Sequence, residues 1–157
     1  ATYKNHTISR EEFRVWLQDV NDFKKGVVKC ENRFRVEKSW FHDPIKDINS
    51  ERMRYRYRLN VTLPLNAKSV KPGTVFANVY DEIFLVSPNK PTFARNRVYG
   101  GFGYQIDENF GMLGGYLWQR EFEASGNKNI HFLYVALNIN IDNSDNKNES
   151  YHFPGAD

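Results

Sequence analysis

The side chains in this sequence best suited to chemistry are arginines, and their spacing is regular. In the stretch RMRYRYRLNVTLPL, residues 52–65, Arg52, Arg54, Arg56 and Arg58 alternate with Met53, Tyr55, Tyr57 and Leu59. Successive side chains on a strand point to opposite faces, so one face carries four guanidinium groups and the other is apolar. The same parity recurs in ENRFRVEKSW, where Glu31, Arg33, Arg35 and Glu37 share a face. It recurs again with Arg95 and Arg97, and with Glu82 beside Tyr80. Glu31, Arg33, Arg35, Glu37, Arg52, Arg54, Arg56, Arg58, Glu82, Arg95 and Arg97 therefore form a candidate charge network. Enclosed in a narrow lumen, such a set holds compensating ion pairs, or selects anions and phosphate-bearing solutes. On an open surface it is merely solvated.

Other chemistries find less support. Asp81 and Glu82 are adjacent carboxylates, but neighbours on a regular strand face opposite ways and cannot act as an acid/base pair without a bulge. Glu82 alone is the best candidate for an enzyme. His6, His42, His131 and His152 fall in separate segments without ligand spacing, so no metal or cofactor is expected. No Gly-x-Ser-x-Gly element occurs. Gly100, Gly101, Gly103, Gly111, Gly114 and Gly115 lack the strand-to-helix context of a phosphate loop, and suit close backbone packing instead. Cys30 is the only cysteine, which excludes an internal disulfide. Sequons begin at Asn5, Asn60 and Asn148. Lys24, Lys25, Lys46, Lys68 and Lys71 fall in expected turns, and would meet an anionic glycolipid or solvent.

The elements that carry these residues read as strands almost throughout. Alternation sets Phe13, Val15 and Leu17 against Arg14, Trp16 and Gln18. It sets Val75, Ala77, Val79, Ile83 and Leu85 against Asn78, Tyr80 and Glu82, and Val98, Phe102, Tyr104 and Ile106 against Arg95, Arg97, Tyr99 and Gln105. Leu133, Val135, Leu137, Ile139 and Ile141 oppose Tyr134, Asn138 and Asn140. The faces of FGMLGGYLWQREFE are ambiguous, because glycines stand where side chains would speak. Turn signals intervene at Lys24-Lys25-Gly26, His42-Asp43-Pro44, Lys71-Pro72-Gly73, Ser87-Pro88-Asn89, Asp107-Glu108-Asn109 and Gly126-Asn127. The reading is an all-β antiparallel meander of about seven strands over residues 1–142, with a polar tail over 143–157.

At 157 residues, one domain is expected. A net charge of +3, spread among acidic residues, gives no reason to expect nucleic acid. No apolar run reaches the roughly 18–20 residues of a membrane-spanning helix. Membrane-spanning strands, by contrast, need roughly nine to eleven residues, against five or six in ordinary sheets. Several segments here sustain alternation for longer. The expectation is a transmembrane β-barrel with Met53, Tyr55, Tyr57, Leu59, Val61, Leu63, Leu133, Val135, Leu137 and Ile139 facing lipid. Trp40, Phe41, Tyr104, Tyr116 and Trp118 are its candidate interface aromatics. A soluble lipocalin-like barrel, holding an apolar ligand between its apolar faces, has the same alternation with the faces exchanged.

The order of the pieces REEFRVWLQ, ENRFRVEKSWF, RMRYRYRLNVTLPL, YDEIFLV, RNRVYGGFGYQI and GGYLWQ resembles a family of Gram-negative, Bacteroidetes-type outer-membrane β-barrel proteins filed as a domain of unknown function. The likeness runs from about Arg10 to Ile141 and corresponds to the C-terminal two thirds of that family, whose preceding strands are missing here. It implies an outer-membrane location, with lipid or glycolipid and other outer-membrane subunits as partners. Together with the residue patterns, the expectation is a non-enzymatic structural or accessory subunit, or a narrow porin-like pore.

Overall fold

The computed structural model describes residues 2–4, 7–87, 92–123 and 125–139, with side chains from residue 10 onward. The expected tail from residue 143, with His152, and also Asn5, His6, Ile141 and Asn148, lie outside the described residues. One antiparallel sheet runs β1 (Thr2–Lys4), β2 (Thr7–Lys25), β3 (Val28–Asp43), β4 (Ile48–Pro64), β5 (Val75–Ser87), β6 (Thr92–Gln105), β7 (Phe110–Glu123) and β8 (Gly126–Ile139). Neighbours in sequence are neighbours in the sheet. The long strands contain 13 to 19 residues, well beyond the usual globular length.

Local chemistry sets the reversals. Gly26 takes a left-handed φ of 64° in the tight β2–β3 connection. Asp43 Oδ1 accepts from the backbone N–H groups of Ile45 and Lys46, and Asp107 Oδ1 does the same for Asn109 and Phe110. One longer connection, residues 65–74, folds back so that Gly73 N donates to Gln105 O at 2.8 Å and Gln105 N donates to Thr74 O at 2.9 Å.

The burial pattern is the reverse of a globular sheet. The apolar face is open: Leu133 is 87 % exposed, Leu17 77 % and Phe102 64 %. The polar face is enclosed, with Glu82 at 0 %, Glu37 at 2 % and Arg58 at 3 %. Among the described residues only the 65–74 connection packs onto this face, through Val70, and the sheet itself encloses the rest. Two contacts skip a strand: Arg33 of β3 reaches Glu82 of β5, and the Tyr99 ring of β6 meets that of Tyr134 on β8.

Among the described residues no ladder joins β8 to β1 or β2, so the sheet is open rather than the closed barrel expected. The seven long strands and their meander topology agree with expectation; closure does not, because among the described residues the outer edge of β8, and that of β2 beyond the short β1, find no partner. Register also settles β7. Gly111, Leu113, Gly115, Leu117, Gln119 and Glu121 share the enclosed face, through pairing with Gln105, Gly103, Gly101, Tyr99, Arg97 and Arg95.

Candidate functional site

Register brings the expected charge network together on the enclosed face. A single hydrogen-bonded row reads Val20, Arg33, Arg58, Glu82, Arg97, Gln119, Ile130 across β2 to β8. The next reads Gln18, Arg35, Arg56, Phe84, Arg95, Glu121, Lys128. All eleven residues of the candidate network occupy this face, because alternation is unbroken on β3 and β4 and the β5 irregularity falls only after Phe84.

Two carboxylates act as hubs. Glu37 lies 2.9 Å from Arg56 Nη2 and 3.2 Å from Arg54 Nη1, with Arg14 and Arg35 each at 3.8 Å. Glu82 Oε1 accepts from Arg33 Nη2 at 2.7 Å, and Arg97 Nη1 stands 3.8 Å from Oε2. Arg58 Nη2 donates to Glu31 Oε1 at 3.3 Å. Phe84 sits among the guanidinium groups: those of Arg56, Arg95 and Arg97 are 5.0, 5.6 and 5.0 Å from its ring centroid. A charge taken out of water must be paired and hydrogen-bonded, which explains why carboxylates and glutamines interleave with the arginines.

The other half of the enclosed face has different chemistry. Phe76, Tyr80, Tyr99, Leu113 and Leu117 form a buried cluster on β5, β6 and β7, with Val70 of the 65–74 connection and Tyr134 packed against it. Tyr80 and Tyr99 stack with centroids 5.1 Å apart. Glycines make room for these rings. A Cβ on Gly103 would run into the Phe76 ring, and one on Gly115 would lie 2.5 Å from Gly100 O.

Several expectations need correction. Phe41 does not join the outer aromatics; it is buried on the polar face, with the Arg10 and Arg52 guanidinium groups over its ring. Trp40 and Tyr104 do face outward near strand ends. Tyr116 and Trp118 also face outward, yet lie mid-strand, paired with Gly100 and Val98; Tyr116 Oη contacts His131 Nδ1. Of the turn lysines, Lys24, Lys25, Lys68 and Lys71 lie at one end of the sheet and Lys46 at the other. Asn60 is buried and accepts from Asn78 Nδ2, so its sequon is inaccessible. Met53, Tyr55, Tyr57, Leu59, Val61, Leu63, Leu133, Val135, Leu137 and Ile139 all share the outer face.

Sequence reading also overlooked members of the network. Glu121 accepts from Arg95 Nη2 at 2.6 Å and from Gln119 Nε2 at 2.8 Å, and Gln119 accepts from Arg97 Nε at 2.7 Å. Their strand was the glycine-rich one whose faces were ambiguous. Phe84 was overlooked because an aromatic looked out of place on a charged face, although its parity with Glu82 was the signal. Asp81 points outward between Leu59 and Val98 and accepts a hydrogen bond from Asn96, away from Glu82. Asp81 and Glu82 therefore do not act as a carboxylate pair. The arrangement is a dense positive surface with anchored counter-charges, suited to holding or repelling ions.

Set against known proteins, residues 1–130 match a family model described as "Protein of unknown function (DUF2490)". No curated protein and no solved structure matches.

Proposed function

The chain belongs to the DUF2490 family of proteins of unknown function, and we propose that its seven long strands form the wall of an outer-membrane β-barrel with a structural or accessory role. The observation that carries this reading is the inverted burial: charged side chains inside, large apolar ones outside. In water that arrangement wastes apolar burial, about 25 cal/mol per Å². In a bilayer it is the stable choice, because lipid takes the outer face and a polar lumen takes the inner one.

The slope of the apolar band adds support. Pairing leads from Leu133 through Tyr116, Gly100, Val79, Val61 and Cys30 to Phe23. The apolar run on β2 lies further along, at Phe13, Val15 and Leu17. The band thus crosses the hydrogen-bonded rows obliquely, as strands tilted by roughly 35–45° in a membrane require. Bacterial single-chain barrels have an even strand number of at least eight, so further strands at the edges of β2 and β8 would complete the wall.

A plugged lumen is favoured over an open pore, since the aromatic cluster fills one half of the enclosed face. A lipocalin-like binder is disfavoured, because its ligand would meet arginines. The test is extraction. The chain should require detergent and give no conductance in planar bilayers. A chain that stays monodisperse in buffer alone would overturn the membrane reading, and steady channel currents would overturn the plugged lumen.

A further inference from the structure

We infer that the arginine half of the enclosed face is a binding site for a phosphate-type oxyanion, held chiefly by Arg56 and Arg58 above the row of Glu82. The first reason is a surplus of charge. Arg33, Arg35, Arg52, Arg54, Arg56, Arg58, Arg95 and Arg97 share this face on β3, β4 and β6, against Glu31, Glu37, Glu82 and Glu121, while Glu12 and Asp22 of β2 pair with Arg14 and Lys29. Each of the first four carboxylates is already engaged by at least one of these arginines.

The second reason is the state of the donors. Arg56 is 8 % exposed, and its Nε and Nη1 have no acceptor; Arg58 is 3 % exposed, and its Nε has none. A guanidinium carries five N–H donors in a rigid fork, and burying some of them unmet is costly unless an acceptor arrives. Glu82 Oε2 is also without a hydrogen bond, but Arg97 stands 3.8 Å from it. That carboxylate anchors the arginines and does not consume their remaining donors.

The third reason is preorganisation. Arg56, Arg95 and Arg97 are fixed against the Phe84 ring, and Arg58 lies 5.5 Å over Tyr80. Stacking immobilises the forks before a ligand comes, so little ordering is left for binding to impose. Several forks converging with a surplus of more than one charge suit a dianionic phosphate or phosphomonoester, which accepts bidentate pairs from more than one arginine.

Such a group could be free phosphate or the headgroup of a phosphorylated lipid reaching the lumen from a rim. This inference rests on the barrel reading for the enclosure of the site, and its test is separable from it. The protein, in whichever medium keeps it folded, is titrated by calorimetry with inorganic phosphate, and separately with micelles doped with phosphatidic acid. Binding of inorganic phosphate assigns a solute site; binding of the doped micelles alone assigns a headgroup site; neither binding overturns the inference. Arg56→Gln and Arg58→Gln should each weaken binding about tenfold or more, while Arg120→Gln on the outer face should leave it unchanged. Equal binding by all three variants would overturn the site. If the Gln variants fail to fold, Arg56→Lys, which keeps the charge but loses the fork, should bind more weakly, and unaltered affinity would again count against it. A chain that binds phosphate yet needs no detergent would sink the membrane reading alone.

Discussion

The two halves of the enclosed face solve the same problem, filling the inside of a curled sheet, by opposite means. Around Glu37 and Glu82 the space is filled by long cationic side chains pinned by carboxylates and by the Phe84 ring. Around Tyr99 it is filled by rings laid over glycines, with Val70 of the 65–74 connection folded against them. The arginine half is held by electrostatics that act only in enclosure and leave donors to spare. The aromatic half is held by shape, and what it leaves without a partner are the uncharged hydroxyls of Tyr80 and Tyr99. Ligand chemistry therefore belongs to the first, and rigidity to the second.

The difference can be broken from either side. Glu82→Ala removes the carboxylate that pairs Arg33 and Arg97, and removing one partner of a buried pair costs about 3–5 kcal/mol. Urea unfolding in detergent or lipid measures it. A loss near that of an exposed ion pair, under about 1 kcal/mol, would mean that the arginine half is wet.

In the aromatic half, Gly115→Val drives a side chain into the backbone of β6, and overpacking of this kind costs about 3 kcal/mol. Gly100→Val is its control. Gly100 has the same residue type in the neighbouring strand but open space around it, so the change should stay within about 0.5 kcal/mol. Equal effects at Gly100 and Gly115 would contradict the close approach of β6 and β7.

Phe84→Leu keeps an apolar side chain but removes the surface on which three guanidinium groups rest, a loss of about 1–2 kcal/mol. The smallest expected change has the opposite sign. Asp81→Leu on the outer face should stabilise the chain in lipid by about 1 kcal/mol or less, since an acidic group there costs less than the 2–4 kcal/mol of a lysine or arginine. Destabilisation instead would assign Asp81 and Asn96 a role that lipid contact does not explain.

Much of the arginine half was legible in the sequence, because alternation on β3 and β4 runs unbroken and register preserves parity across paired strands. Glu121 was not, because the glycines of β7 remove the contrast on which parity depends. Phe41 misled for a related reason: an aromatic at a strand end suggests an interface, yet its odd number puts it with Ser39 and Glu37. Closure could not be read at all. It depends on what meets the edges of β2 and β8, and no pattern within a strand records its neighbour.

The orientation of the faces is tested most directly by tryptophan fluorescence in vesicles containing brominated lipid. Trp118 points outward, paired with Val98 and His131, whereas Trp16 points to the opposite, arginine-bearing face, where it is itself exposed, with the Arg35 guanidinium 5.0 Å from its ring. A chain retaining only Trp118, with Trp16 and Trp40 changed to Phe, should be strongly quenched by the brominated acyl chains. A chain retaining only Trp16 should be quenched little. Quenching of Trp16 with protection of Trp118, or no quenching of either, would contradict an apolar outer face in lipid.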